Sequence, residues 1–408
     1  MQHKTHIKAV IDDFQQGKMI LLTDDNTREN EADLIIAAEY ASPAAINFMA
    51  KHACGLICLA MAPALIDPLH LPPMAIHNSS HLKTNFTVSI DSKIGIRTGI
   101  SAYDRAKTIA DAIKDNATLH DFVMPGHIFP LKAAMHGVLE RRGHTEGSVD
   151  LALLAHLKPA AVICEVMDDH GHMLTGNKLK AFALKHSLKV ASIDDLVKYR
   201  LNYDTTIIKK ITQTDFPTQW GNFQLIAFET SYDQATHLAL IHGDIASKLA
   251  LVRIHSECLT GDVLGSLRCD CGNQLNHALD QIAKSPAGIL LYLRQEGRGI
   301  GLANKLQAYA LQDHGLDTVA ANKSLGFESD LRHYGIAIQI LRYLGIQRIN
   351  LLTNNPDKIN AFNGQDIDVI NRIPLETVPH PKNYQYLNVK KTKMGHLLNL
   401  TQYGEKNA

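Results

Sequence analysis

The chain has 408 residues, which is more than one ordinary hydrophobic core holds, so we expect two domains. Hydrophobic residues make up 45% and charged residues 20% of the sequence, a composition typical of globular proteins rather than disordered ones. Basic and acidic residues both number 41, so there is no overall positive field that would attract nucleic acid.

The N-terminal segment is mixed and polar, without an apolar run of signal-peptide length, and no later stretch is long enough to span a membrane. We therefore expect a cytoplasmic protein with neither a membrane nor a nucleic-acid partner. Thiols stay reduced in the cytoplasm, so disulfides are the weakest explanation for the 6 cysteines.

Short apolar runs alternate with helical patterns along the chain, which favours an α/β or α+β architecture. The runs that read as buried strands are MILLT (19–23), GLICLAM (55–61), AAVICEVM (160–167), ILLYLR (289–294) and INLLTN (349–354). Two helical faces are predicted, one with Leu275, Ala278, Leu279 and Ile282 and the other with Leu302, Leu306, Tyr309 and Ala310. A helical pattern over 194–203 and a polar stretch after it predict two mixed α/β domains, 1–200 and 215–408, with a short linker at 201–214.

An acidic stretch follows the first predicted strand. Asp24, Asp25, Glu29, Glu31 and Asp33 crowd around an arginine, and such closely spaced like charges favour a bound cation. Oxygen ligands suit Mg²⁺ or Mn²⁺ better than zinc. A solvated acidic turn explains the same residues equally well.

Further candidates for chemistry in this half are His127, His144 and Glu165. Glu165 ends a buried strand, where side chains commonly face a site, and Thr145 is a candidate helix N-cap. A lone histidine is usually structural, and the chain has 22. Carboxylates, imidazoles and the neighbouring arginines together indicate acid/base chemistry on a phosphorylated sugar.

The motifs RENEAD, TGISAYDR, GHIFPL, RRGHTEGSVDL and CEV make residues 5–200 resemble the 3,4-dihydroxy-2-butanone 4-phosphate synthase family. The resemblance implies conversion of D-ribulose 5-phosphate to L-3,4-dihydroxy-2-butanone 4-phosphate and formate, with His127 and Glu165 catalytic and with Mg²⁺ or Mn²⁺ bound by Glu29 and His144. The implied substrate contacts are Arg28, Glu29, Asp33, Arg141, Arg142, Gly143, His144, Thr145 and Glu165. Residues implied to lie near the site are Cys58, Thr98, Asp104 and Arg105.

The acidic loop departs from the family pattern. The usual DDEDREN reads DDNTREN here, with Asn26 and Thr27 at two acidic positions, and Ala32 replaces a usual glycine. The loop loses negative charge, so we predict a lower affinity for Mg²⁺. A Mg²⁺ titration of the synthase reaction that gave ordinary affinity would refute this.

The stretch HSECLTGDVLGSLRCDCG (255–272) holds Cys258, Cys269 and Cys271. Thiolates suit Zn²⁺, and three protein ligands leave a fourth position for water, as in catalytic sites. His255 or His277 could instead complete a closed structural site. Buried apolar cysteines are the remaining explanation, and the neighbouring charges and glycines argue against it.

A glycine-rich loop, RQEGRGIG (294–301), follows a predicted strand and precedes a helix. Such loops bind anions at the helix N-terminus, and Arg294 and Arg298 supply guanidinium groups for phosphate. Asp330, Arg332, Thr353 and Lys358 are further polar candidates. Together these residues indicate that water activated by zinc attacks a phosphate-bearing substrate.

These motifs, with LLTNNPDK (351–358), make residues 215–400 resemble the GTP cyclohydrolase II family. The resemblance implies that Cys258, Cys269 and Cys271 bind zinc, that Asp330 accepts a proton and that Arg332 is a nucleophile. The implied reaction is hydrolysis of GTP to formate, pyrophosphate and 2,5-diamino-6-hydroxy-4-(5-phosphoribosylamino)pyrimidine. The implied GTP contacts are Arg253, Ile254, His255, Ser256, Glu257, Gln274, Glu296, Gly297, Arg298, Thr318, Thr353 and Lys358.

The whole chain thus resembles bifunctional enzymes of riboflavin biosynthesis, which implies a homodimer with GTP and D-ribulose 5-phosphate as substrates. Three alternatives stay open. One half could be an inactive scaffold. The cysteines could form a zinc knuckle that binds nucleic acid, although the balanced charge argues against it. A redox or metal sensor is disfavoured because the Cys-x-x-Cys pattern is missing.

Overall fold

The computed structural model describes residues 2–24, 31–232, 235–314, 316–327, 332 and 334–400. The chain divides into two compact units, Gln2–Arg200 and a second unit that begins at Leu201. Each unit combines helices with one seven-stranded sheet, so the predicted class of two mixed α/β domains is confirmed. Within the described ranges, no helix has both the length and the apolar character needed to cross a membrane.

The first unit carries strands β1 to β7, helices α1 to α6 and most of helix α7, which ends at Tyr203. The strands are β1 (Ile20–Thr23), β2 (Ala32–Ala37), β3 (Cys58–Met61), β4 (Ile90–Ser92), β5 (Phe122–Lys132), β6 (Ala160–Glu165) and β7 (Lys189–Ser192). The helices are α1 (Gln2–Gln15), α2 (Pro43–Phe48), α3 (Pro63–Ile66), α4 (Ala102–Ala112), α5 (His144–Leu154), α6 (Gly176–Lys185) and α7 (Ile193–Tyr203).

The sheet of the first unit has the order β4-β5-β3-β6-β2-β1-β7. Its central strands are buried along their whole length, because apolar side chains such as Leu34, Leu59 and Val162 pack into one core beneath α2 and α4. Strands β2 and β6 pair antiparallel, and their register sets Asp33 directly opposite Glu165. The sheet thereby brings two predicted site carboxylates from distant parts of the sequence onto neighbouring strands.

The second unit carries strands β8 to β14 and helices α8 to α14. The strands are β8 (Ile208–Thr218), β9 (Gly221–Thr230), β10 (Thr236–Gly243), β11 (Ala250–Ser256), β12 (Ala287–Leu293), β13 (Arg348–Leu352) and β14 (Asp368–Ile373). The helices are α8 (Leu259–Asp262), α9 (Cys271–Lys284), α10 (Gly301–Asp313), α11 (Thr318–Ser324), α12 (Gly335–Tyr343), α13 (Pro356–Asn360) and α14 (Tyr384–Lys393).

The sheet of the second unit, ordered β14-β13-β11-β12-β10-β9-β8, is antiparallel on one side and parallel on the other. Strands β12, β11, β13 and β14 run parallel to one another. The segments that follow these strands therefore leave the sheet at the same edge, which is where open α/β sheets commonly bind ligands.

All five apolar runs predicted as strands are strands, and the helical face with Ala278, Leu279 and Ile282 is buried. The face predicted for α10 is wrong, because Leu306 and Ala310 are exposed while Ala308 is buried. The segment expected as a linker, 201–214, holds the end of α7, a 3₁₀ turn and the first half of β8.

Candidate active sites

The parallel edge of the second sheet gathers residues that are far apart in the sequence. Glu257 follows β11, Glu296 follows β12 and Thr353 follows β13. One pocket opens there, and the predicted residues that line it are Arg253, His255, Ser256, Glu257, Cys258, Cys269, Cys271, Gln274, Glu296, Gly297, Arg298, Thr318, Arg332, Thr353 and Lys358. Of the other predicted residues, Ile254 is buried in β11, and Asp330 lies outside the described residues.

The three cysteine sulfurs converge at this pocket. The Sγ atoms of Cys258 and Cys269 are 3.7 Å apart, and all three Sγ atoms lie within 4.8 Å of one another. Tetrahedral zinc with Zn–S bonds near 2.3 Å separates its sulfur ligands by about 3.8 Å. The sulfur atoms therefore fit a tetrahedral divalent ion, and no fourth metal-binding side chain of the described residues joins them.

The local backbone explains how the sulfurs approach each other. Gly261 faces them so closely that a Cβ atom there would lie 2.9 Å from Sγ of Cys269. Asp262 accepts hydrogen bonds from the backbone N–H of Cys258 and the hydroxyl of Tyr292, and it also pairs with Nε2 of His255. His255 is therefore engaged by a carboxylate, and the three sulfurs are the candidate ligands for a metal ion.

A largely buried lysine, Lys305, completes the surroundings of Cys258. Nζ of Lys305 lies 3.1 Å from Sγ of Cys258 and 2.7 Å from Oε1 of Glu296. Hydrogen bonds with Cys269 and Cys271, and then the charge of Lys305, hold the pKa of the Cys258 thiol well below its usual range although burial opposes them. These contacts favour the thiolate form of Cys258, which is the form that binds metals.

Glu296 connects the sulfur cluster to the glycine-rich loop. Its carboxylate accepts hydrogen bonds from the backbone N–H groups of Leu259 at 2.6 Å and Gly297 at 2.8 Å. Gly297 and Arg298 both have left-handed backbone angles, with φ of 63° and 64°. A left-handed arginine is strained, and such strain is concentrated at functional sites. The loop is thereby fixed in the conformation that brings Arg298 to the pocket.

A chain of polar contacts runs beneath the pocket. Lys390 donates to Asp270 at 2.9 Å, Gln274 donates to the same carboxylate at 2.5 Å, and Arg253 donates to Gln274 at 2.7 Å. Burial lowers the pKa of Arg253 to about 10, so the guanidinium stays charged at neutral pH. Burial opposes ionisation of Asp270, but Lys390 outweighs it and lowers the pKa of this carboxyl group. Gln274 is thus held by the charged Asp270, and Arg253 is held in turn by Gln274.

Several pocket residues were not predicted from the sequence. Helix α10 contributes Lys305, Tyr309 and Gln312, whose spacing of four and then three residues places them on one helical face. That spacing is a signal in the sequence, but the apolar pattern of the same helix obscures it. The segment after β14 contributes Tyr386, Lys390, Met394 and His396, for which no motif gave a signal.

His396 has an unusual electrostatic environment in this pocket. Burial, reinforced by the charges of Lys390, Arg332, Lys358 and Arg298, lowers the pKa of its imidazole to about 3. The ring is therefore neutral at physiological pH. Four cations that act on one neutral ring mark this end of the pocket as a place for an anion.

In the first unit, the strand register assembles the predicted residues of the sugar-phosphate site. Asp33 pairs with Glu165, and Nδ1 of His144 is 4.0 Å from Oδ1 of Asp33. Oε2 of Glu165 accepts a hydrogen bond of 2.8 Å from the backbone N–H of Leu56, just before β3. Arg28 and Glu29 lie outside the described residues.

His127 is held by a second carboxylate. Its Nδ1 is 2.7 Å from Oδ2 of Asp91, and its backbone N–H donates to Oδ1 of the same residue at 3.0 Å. Strand β5 lies beside β3, and β3 lies beside β6. Continuing these registers by two residues places His127 and Glu165 on either side of Leu56, so both predicted catalytic residues meet the same end of β3.

The TGISAYDR segment (98–105) lies against His127 and Asp91. Asp104 accepts hydrogen bonds from the backbone N–H groups of Arg97, Thr98 and Gly99. A Cβ atom at Gly99 would overlap Oδ2 of Asp91 and would lie 2.5 Å from Nδ1 of His127. Only glycine therefore fits at position 99.

The RRGHTEGSVDL segment forms the start of α5. Arg141 pairs with buried Glu146 at 2.6 Å, while Arg142 lies at the surface, 3.8 Å from Asp194. The N-cap predicted at Thr145 is wrong, because α5 begins at His144 with Gly143 at the cap position. His144 and Thr145 are buried in the first turn.

Two family models match this chain, one over each unit. A family model described as 3,4-dihydroxy-2-butanone 4-phosphate synthase matches residues 8–199, and one described as GTP cyclohydrolase II matches residues 209–374. Among solved structures, RibBX of A. baumannii, described as a two-domain 3,4-dihydroxy-2-butanone 4-phosphate synthase, is 34% identical with a TM-score of 0.64. That match covers 89% of this chain and 98% of RibBX.

Curated relatives match nearly the whole chain. The riboflavin biosynthesis protein RibBA of Aquifex aeolicus (strain VF5) is 52% identical over 395 residues, which cover 96% of this chain and 97% of that protein. RibBA of Bacillus mycoides (strain KBAB4) is 49% identical over 395 residues, which cover 97% and 99%. Nothing in these matches favours the alternative of one active half and one scaffold. The chain therefore belongs to the RibBA family of bifunctional riboflavin biosynthesis enzymes, with a 3,4-dihydroxy-2-butanone 4-phosphate synthase domain followed by a GTP cyclohydrolase II domain.

Proposed function

We propose that the second unit hydrolyses GTP at a zinc ion held by Cys258, Cys269 and Cys271. The products are formate, pyrophosphate and 2,5-diamino-6-hydroxy-4-(5-phosphoribosylamino)pyrimidine. The observation that carries the proposal is a trio of sulfurs, with a 3.7 Å separation suited to zinc, at the wall of a pocket rich in cations. When bound, the ion supplies the Lewis acidity that activates water for attack on the purine ring.

The chain's own residues would bind and orient the nucleotide. Arg298, Arg332 and Lys358 line the pocket and offer positive charge to the phosphates. Arg253, whose guanidinium is buried and donates to Gln274 and to the carbonyl of Leu352, holds the floor of the site rigid. We retain Asp330 as the proton acceptor and Arg332 as the nucleophile on the strength of the family resemblance. Arg332 would give up a proton to Asp330, form a bond to the α-phosphorus of GTP and release pyrophosphate.

We further propose that the first unit converts D-ribulose 5-phosphate to L-3,4-dihydroxy-2-butanone 4-phosphate and formate. Glu29 and His144 would hold Mg²⁺ or Mn²⁺, whose charge stabilises oxyanions on the sugar. His127 is oriented by the 2.7 Å contact with Asp91, so its free ring nitrogen is available to move a proton. Glu165, on the neighbouring strand to Asp33, is the second proton-transfer group.

Formate release from each substrate, measured separately, tests both proposals. Cys269→Ser should abolish formate release from GTP together with zinc content, and it should leave the reaction of ribulose 5-phosphate unchanged. Glu165→Gln should abolish formate release from ribulose 5-phosphate and leave formate release from GTP and the zinc content unchanged. Cys54→Ser is the matched control, because Cys54 is an exposed free thiol in the first unit. A Cys269→Ser variant that still turns over GTP would refute the zinc site.

We also propose a cytoplasmic homodimer. Free thiols stay reduced in the cytoplasm, where they remain able to bind zinc. Exposed apolar side chains beside the sulfur cluster, Val263 and Leu264 at 70% and Leu267 at 55%, suit burial against a second copy. Light scattering that gave the mass of a single chain at micromolar concentration would refute the dimer.

A further inference from the structure

The stretch 383–400, here called the C-terminal segment, lies beyond residue 374, where the match to the cyclohydrolase family model ends. It nevertheless forms part of the pocket wall, through Tyr386, Lys390, Met394 and His396. None of these four residues is among the nucleotide contacts that the family resemblance implies. The segment therefore adds side chains to a site that the matched domain alone does not account for.

The C-terminal segment is fastened to the pocket at three points. Asn383 donates to the backbone carbonyl of Cys269 at 3.4 Å, and Lys390 donates to Asp270 at 2.9 Å. The backbone N–H of Leu397 donates to the carbonyl of Asn354 at 2.9 Å. Two anchors lie at Cys269 and Asp270, and the third lies after β13, on a different wall of the pocket. Buried apolar side chains, including Leu387 and Leu400, pack the segment further.

Within the C-terminal segment, His396 is the residue whose side chain is placed to bind a ligand. A hydrogen bond from its backbone N–H to the carbonyl of Lys390, 3.0 Å long, fixes the turn that carries the ring. The Nε2 atom is buried and has no hydrogen-bond partner among the described residues. A buried polar atom without a partner is costly, so such atoms commonly serve a ligand or a water molecule.

The charges around the ring indicate the chemistry of that ligand. Lys390, Arg332, Lys358 and Arg298 all act electrostatically on His396. Of the acidic groups described among the pocket-lining residues, Glu257 is paired with Arg294 and Glu296 with Lys305. Of the cations, Lys390 is itself paired with Asp270. A neutral imidazole that donates from Nε2, set among four cations, suits a phosphate oxygen.

We infer that His396 is a phosphate-contacting residue of the GTP site and that the C-terminal segment, anchored through Lys390 and Asp270, carries it there. The inference rests on the proposed hydrolysis of GTP. The Nε2–H group would donate to a phosphate oxygen, while Lys390 acts as a positioning residue. Lys390 holds the segment and, through Asp270 and Gln274, also braces Arg253.

Substitution of His396 separates a phosphate contact from a structural role. Asparagine removes the donor at the Nε2 position, whereas the longer glutamine side chain can return an N–H group to it. We expect His396→Asn to raise the KM for GTP by about 10-fold to 100-fold, as for a lost hydrogen bond to a charged group, with a much smaller change in kcat. His396→Gln should recover part of the loss.

Two simpler ligands localise the effect. Pyrophosphate probes the phosphate end of the pocket and guanosine probes the base end, each measured as a competitive inhibitor of formate release from GTP. His396→Asn should weaken inhibition by pyrophosphate about 10-fold or more and leave inhibition by guanosine unchanged. Zinc content and turnover of ribulose 5-phosphate report whether the variant is folded.

Lys391→Met is the matched control, since Lys391 is exposed one residue beyond Lys390 on the same helix. It should change neither KM nor inhibition. An unchanged KM and unchanged pyrophosphate inhibition in His396→Asn would overturn the inference, and so would equal weakening of guanosine and pyrophosphate. Failure of the wild-type chain to release formate from GTP would instead overturn the proposed function. If His396→Asn loses its zinc, His396→Gln carries the same comparison.

Discussion

Lys305 is a single residue that serves two anions, the Cys258 thiolate at 3.1 Å and the Glu296 carboxylate at 2.7 Å. Both side chains of the Lys305–Glu296 pair are nearly buried. Removing one member of a buried pair leaves an uncompensated charge, which costs about 3 to 5 kcal/mol of folding free energy. Lys305→Met should therefore lower the melting temperature of the second unit and weaken its retention of zinc.

The control for this variant is Lys284→Met, which breaks a pair with Asp280 on the surface of α9. Exposed pairs of this kind contribute about 0.3 to 0.5 kcal/mol. Calorimetry and competition with a zinc chelator would measure both variants. Equal changes in melting temperature and zinc retention in the two variants would mean that Lys305 has no special role at the thiolate.

His396 gives the second unit a dependence on pH. Its pKa is lowered from 6.5 to about 3 in the folded protein, so below pH 6.5 the unfolded chain binds a proton that the folded chain does not. Stability therefore falls as pH decreases from 6.5 towards 3, by up to about 2 kcal/mol between pH 7 and pH 5. The melting temperature of His396→Asn should fall less over this range than that of the wild type. An equal fall in melting temperature with decreasing pH in both proteins would contradict the prediction.

At the scale of elements, the loop before α4 lies directly against the Asp91–His127 pair. Gly99 has φ of +88°, and a Cβ atom there would overlap Asp91 and crowd His127. Gly99→Ala should therefore abolish formate release from ribulose 5-phosphate and leave the reaction of GTP intact. Gly171→Ala is a matched control in the same unit, because Gly171 has φ of +80° and a Cβ atom added there would meet no other atom within 4 Å.

Gly171→Ala introduces the same backbone strain without the collision, at a cost of about 1 kcal/mol. Circular dichroism and the two formate assays would compare the variants. If both lost the synthase reaction to the same extent, backbone strain rather than the collision with His127 would be the cause.

Helix α10 shows why a hydrophobic pattern can be misread. Its apolar residues Leu302, Leu306, Tyr309 and Ala310 fit one face, but the helix packs beside a ligand pocket as well as a core. It therefore turns Lys305, Tyr309 and Gln312 inward and leaves Leu306 exposed. Periodicity reports which residues are apolar, and it does not report whether the buried neighbour is a core or a site.

Considered as a whole, the molecule consists of two units that share no catalytic residue in the proposed sites. We expect two thermal transitions. Removal of zinc with 1,10-phenanthroline should lower only the transition of the second unit, because a metal site contributes to the folding free energy of the unit that forms it. Calorimetry with and without chelator, together with both formate assays, would measure this. A simultaneous loss of both activities would show that the units depend on each other.

The sequence predicted those features whose determinants are local. The strands, the cysteine spacing and the glycine loop each lie within one short stretch, and the strands and fold class are confirmed. Lys305 lies 47 residues from Cys258, and Lys390 lies 120 residues from Asp270. Such contacts form only when the sheet brings its parallel strands together, so the sequence alone did not predict them.

The position of the C-terminal segment has a consequence for how this enzyme is made and damaged. Lys390 and His396 are translated after every strand of the sheet, so the GTP pocket is completed only after its scaffold has left the ribosome. A chain cleaved by a protease after residue 374 would keep Cys258, Cys269 and Cys271 and the whole region that the family model matches. Such a fragment would still match the family model and keep the proposed zinc ligands. Without Lys390 and His396, however, it would bind the polyphosphate of GTP poorly.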